Sequence, residues 1–148
     1  MPLLSRSFPG AILLGASLSA LAAFASEWSS FRGPNASGVA ETSPLPVEFG
    51  PGKNVVWKTA LPMGKSSPAL TGDRIFLTAS EGDKLLTIAI GRKTGEILWR
   101  REIARPRAEQ LHQLNHPASA TPASDGENVY AFFGDFGLVS YGPDGNER

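Results

Sequence analysis

Residues 66–99, SSPALTGDRIFLTASEGDKLLTIAIGRKTGEILW, decide how this chain folds. The stretch alternates runs of β-forming residues with short glycine-bearing turns. Ala69-Leu70 leads into Thr71-Gly72-Asp73, residues 74–79 follow, and 80–83 turn. Residues 84–90 return, 92–95 turn again, and 96–100 close the set. Ile75, Phe76, Leu77, Leu85, Leu86, Ile88 and Ile90 are large or β-branched and favour strands. Gly72 and Gly95 stand where a tight turn calls for positive φ, which glycine adopts without steric cost. Runs this short between glycine turns predict antiparallel strands rather than helices.

A related pattern occupies residues 119–148, SATPASDGENVYAFFGDFGLVSYGPDGNER. Pro122 answers Pro68 and Gly126 answers Gly72, both 54 residues on. Val129-Tyr130 answers Ile75-Phe76, and Asp144-Gly145 answers Thr94-Gly95 with one residue fewer before the glycine. A period of about 50 residues with several short strands per unit predicts an all-β fold, a β-propeller of four-stranded antiparallel blades. Residues 27–148 supply roughly two and a half blades where a closed propeller takes about 4–8. The expectation is therefore an incomplete propeller, a fragment stopping before the counterpart of Trp99.

The expected organisation follows from that repeat. Residues 1–25 read as a secretory signal peptide, with Arg6 near the start, an apolar run from Ala11 to Phe24, and Ala23-Phe24-Ala25 as cleavage site. Export to the periplasm or beyond is the implied localisation. Residues 26–65 form an amino-terminal strap and a first strand, with Trp28 and Phe31 plugged into the assembly, Arg32 as a loop clamp and Trp57 as a packing residue. Residues 66–100 are the first recognisable blade, 101–118 an inter-blade loop, and 119–148 a second, truncated blade. Pro106 argues against a helix through the whole loop. As the longest connection, that loop is the expected binding element.

Composition excludes several chemistries. The chain has 148 residues and no cysteine, so disulfides, thiol catalysis and thiolate metal sites are impossible. Fourteen basic and fourteen acidic residues are interspersed without blocks of one sign, which removes the electrostatic case for nucleic-acid binding. His112 and His116 have the i, i+4 spacing of a helical zinc motif, but Gln113 stands where that motif needs glutamate, and Pro117 follows directly. They are read as loop histidines, open to a ligand contact. Asp125, Asp135 and Asp144 sit beside glycines, where carboxylates bond turn N–H groups. No catalytic or metal-binding set is assigned, no cofactor-binding residue can be named, and whether the chain is an enzyme stays open.

Residues 89–99, AIGRKTGEILW, complete the picture. They resemble the docking motif of the pyrroloquinoline-quinone-like (PQQ-like) β-propeller repeat family, except that Gly91 replaces the usual aspartate, as Gly142 does in the second stretch. The segments WSSFRGPNASG (residues 28–38) and NHPASATP (115–122) are similar to an exported subgroup of that family. The resemblance implies that Trp99 packs between neighbouring blades. It implies a protein- or polymer-binding scaffold of the cell envelope, with an envelope protein or polysaccharide as partner. The alternative it implies is the amino-terminal part of a quinone-dependent alcohol or sugar dehydrogenase, holding PQQ and calcium.

Overall fold

A computed structural model describes residues 27–40 and 45–148. The expected leader, and residues 41–44 of the strap, lie outside the described residues. After a 3-10 turn at Pro34–Ala36, the chain forms seven strands: β1 (Ala69–Thr71), β2 (Arg74–Glu81), β3 (Lys84–Gly91), β4 (Ile97–Ala104), β5 (Ala123–Ser124), β6 (Val129–Phe133) and β7 (Gly137–Tyr141). The first four make one antiparallel sheet in chain order and the last three make a second.

Strand β3 explains why the sheets stack. From Leu85 to Gly91 every residue is buried, although side chains alternate between faces. Such a continuous apolar run needs cover on both sides. One face carries Phe76, Leu85, Ala89 and Trp99, which pack against Val129, Ala131, Phe133, Val139 and Tyr141 of the second sheet. Ala79, Leu86, Ile88 and Ile90 form the other cluster, joined by Ile75, Leu77 and Trp57. Each large side chain fully buried this way contributes ~1.5–3 kcal/mol.

The first strand expected within residues 26–65, at 54–60 around Trp57, does not form. Side-chain anchors hold this stretch instead of a ladder. The Trp57 indole N–H donates to the Arg92 carbonyl at 2.9 Å, and the Thr59 hydroxyl donates to the Gly95 carbonyl. Gly95 adopts φ 74°, and an added Cβ would sit 2.6 Å from the Trp57 ring. Trp99 repeats the contact over Gly145 and donates to the Pro143 carbonyl at 2.9 Å. It lies between Phe76 and Tyr141, with ring centroids 5.9 and 5.7 Å away. Strand β4 runs four residues past Arg100, because β3 pairs with it as far as Lys84 opposite Ala104. Lys84–Glu102 and Arg100–Glu81 ion pairs charge this edge, which discourages pairing with other chains.

At the amino-terminal end, Trp28 is half-buried and pairs through its backbone with Leu70, while Phe31 stays exposed rather than plugging into the core. The Arg32 guanidinium donates to the Ser37 carbonyl at 3.2 Å, which closes its loop.

The fold is all-β, but it is not the expected β-propeller. The described residues make two small antiparallel sheets of four and three strands, with no closed circular arrangement of four-stranded blades. Nor do they form a repeat array: residues 119–148 build a three-stranded sheet that lies on the first as its partner layer. The physical reason is that glycine turns and apolar pairs specify hairpins one at a time. Any antiparallel meander shares those signals. Whether successive meanders fan around an axis depends on what each face buries, and no local spacing encodes that.

Candidate functional site

The long connection between β4 and β5 is fastened to the second sheet at its start. Arg105, just past β4, forms an ion pair with Asp135 in the β6–β7 turn. Asp135 also accepts the Glu109 backbone N–H at 2.8 Å, and Arg107 donates to the Gly134 carbonyl at 2.7 Å. The Asp135 side chain is only 1% exposed. Burial pushes its carboxyl up, but the Glu109 N–H and the Arg105 guanidinium outweigh this and hold it below the usual range. Asp135 is thus a fastener, with its oxygens engaged.

Beyond the fastening, residues 110–118 turn without forming a helix. The i, i+4 spacing of His112 and His116 therefore does not place two imidazoles on one helical face. Each ring instead supports its own turn. His112 Nδ1 accepts the Leu114 N–H at 3.2 Å, and His116 Nδ1 accepts the Ala118 N–H at 3.3 Å. Ser119 Oγ accepts the His116 N–H at 2.8 Å. From the stretch before β1, Lys65 donates through its backbone to the Ala118 carbonyl and through Nζ to the Leu114 carbonyl.

Between this loop and the second sheet lies a cleft of about 200 Å³. Phe132, 53% exposed, forms one wall. Leu111 and Pro117 add apolar surface, and Asn115, His116 and Ser119 supply polar groups. Burial pushes the His116 imidazole down from its ordinary value, and Lys65 and Arg105 push it further. The neutral ring is favoured at pH 7.

The fold also brings Ser80 of β2 to 3.5 Å from His116 Nε2, a pair 36 residues apart that no local motif announces. It is not set for nucleophilic catalysis. With Nδ1 accepting a backbone N–H, the neutral ring is assigned its proton on Nε2, the atom that would have to take the serine proton. A catalytic histidine of that type presents the opposite tautomer, with Nδ1–H held by an acid.

The other turn aspartates are structural. Asp125 accepts N–H groups of Asn128 and Glu127 and the Tyr130 hydroxyl, and the Asn128 backbone bond leads in holding its carboxyl far below the ordinary range. Asp144 contributes its carbonyl to Arg101.

No family model, curated protein or solved structure matches this chain. The chain is defined by its architecture: a small all-β domain of two stacked antiparallel sheets, with a loop-covered cleft at one end. The PQQ-like assignment drawn from residues 89–99 is not supported. Both functional readings drawn from it fall with it, since a scaffold of inter-blade loops and a dehydrogenase with a quinone in a channel each require the multi-blade ring. The residues present do not fit the implied calcium either, because no three acidic or histidine side chains converge among the described residues.

Proposed function

We propose that this domain is a non-catalytic binding module whose cleft takes one ring-sized, uncharged, hydroxyl-rich group, such as a sugar unit of a polysaccharide. One observation carries the reading: a half-exposed aromatic wall, Phe132, faces short polar side chains in a cleft whose charged group is already neutralised by a partner. A ring with an apolar face and several hydroxyls can lie on Phe132 while Asn115 and Ser119 exchange hydrogen bonds with its rim. An ionic ligand finds little here, since Asp135 is committed to Arg105 and Glu109. At about 200 Å³ the cleft is smaller than a typical drug-sized site, which suits one unit of a chain. The apolar amino-terminal run, with its small-residue cleavage site, supports placing the module outside the cytoplasm, where such polymers occur.

Affinity for a single unit is expected on the order of 1 mM, as few groups make contact. Titrating the 15N-labelled chain with cellobiose, maltose and chitobiose at neutral pH tests the reading. Shifts gathered at Asn115, Ser119 and Phe132 support it. Saturation by charged peptides alone, or shifts scattered over the surface, refutes it.

A further inference from the structure

We propose that residues 110–117 are an acid-released gate over the cleft, opened when protonation turns Nδ1 of His116 from a backbone acceptor into a donor. This regulation rests on the cleft being the binding site.

The chemistry lies in the turn that His116 supports. A neutral imidazole can accept at Nδ1, whereas an imidazolium presents donors at both nitrogens. The Ala118 N–H then faces an N–H.

The surroundings of His116 sharpen the response. Lys65, from the stretch before β1, and Arg105, just past β4, are the cations facing it. Ser80 of β2 faces Nε2, and Ser119 holds the His116 N–H. Asp135, from the β6–β7 turn, is the acid lining the same cleft, and it is paired with Arg105 and Glu109. A charge on His116 therefore meets cations and no free carboxylate among these groups. Repulsion of Lys65 also strains its Nζ bond to the Leu114 carbonyl. The ends stay fixed, because Asp135 holds residues 105 and 109, and the Lys65 N–H holds the Ala118 carbonyl at 2.9 Å. Movement is thus confined to the segment between them, which carries Leu111, Asn115 and Pro117 of the cleft lining.

Amide exchange measured by NMR on the ligand-free full chain, from about pH 7.5 to about pH 4.5, tests this. With intrinsic exchange corrected for pH, Ala118 is expected to exchange at least about fivefold faster at the acid end, as for loss of one hydrogen bond. Val129 and Leu86 are expected to keep their protection. In His116→Asn the side-chain oxygen can still accept the Ala118 N–H but cannot titrate, so acid acceleration at Ala118 should vanish. Unchanged Ala118 protection while the ring signals show protonation would overturn the gate. So would a ring that stays neutral to the end of the titration, or the same acid response in His116→Asn. Since no ligand is present, the outcome is independent of whether any sugar binds.

Discussion

Replacing Gly95 by alanine is expected to cost far more than the same change at Gly72, although both glycines sit in tight turns with positive φ, 74° and 54°. An alanine at either site adopts a conformation unfavourable by ~1–2 kcal/mol. At Gly72 nothing lies within 4 Å of the new methyl, so the cost stops there. At Gly95 the methyl would stand 2.6 Å from Trp57, and the indole has to move by about an ångström to restore ordinary contact. That shift breaks the Trp57 N–H bond to the Arg92 carbonyl, worth ~1 kcal/mol. It also withdraws part of the ring from the buried cluster of Ala79, Leu86, Ile88 and Ile90, worth about another 1 kcal/mol. Gly95→Ala should therefore cost ~3–4 kcal/mol against ~1–2 for Gly72→Ala. Urea unfolding followed by tryptophan fluorescence should separate the two midpoints by roughly 1 M. Repeating the pair in a Trp57→Ala background closes a cycle, in which the difference should collapse to within ~0.5 kcal/mol. Equal costs in the parent chain, or a gap that survives removal of the indole, would refute the assignment of Trp57 as the lock on this turn.

Other expectations concern the cleft and its fastener. Asp135→Asn removes the charge that Arg105 faces in a buried setting and should destabilise the chain by ~2–3 kcal/mol in urea titrations, a buried pair's loss reduced for the partial exposure of Arg105. Phe132→Ala should leave the unfolding midpoint nearly unchanged, because the ring is half-exposed, yet abolish the shifts produced by cellobiose. Acid should weaken the fold in two stages. The His116 imidazole titrates lower in the folded chain than its ordinary 6.5, so stability is constant in this group above that value and falls as pH drops below it. The Asp125 carboxyl is held below its ordinary 3.8, so its contribution is complete above that value and is lost on further acidification. Thermal melts across pH should show the first stage removed in His116→Asn and the second flattened in Asp125→Asn.

Local chemistry was legible in the sequence. Strands β1 to β4, their glycine turns and the apolar character of residues 85–90 follow from residue type and spacing, because backbone preference and burial act over a few neighbours. Residues 101–118, read as a loop, are a connection only from 105 on, because 101–104 extend β4 along β3. The packing partner of each face was not readable. Phe76 and Leu85 need cover, but their spacing does not say whether that cover is another blade in a ring or, as here, the inner side of a three-stranded sheet. The cleft was illegible for the same reason. His116 meets Ser80, Lys65 and Arg105 from three separate parts of the chain, and the roles of Asp135 and the two histidines came from partners brought beside them by the fold. Sequence alone determined that this chain makes short antiparallel strands joined by tight turns; tertiary structure decided how the strands are layered, since layering depends on contacts between residues far apart along the chain.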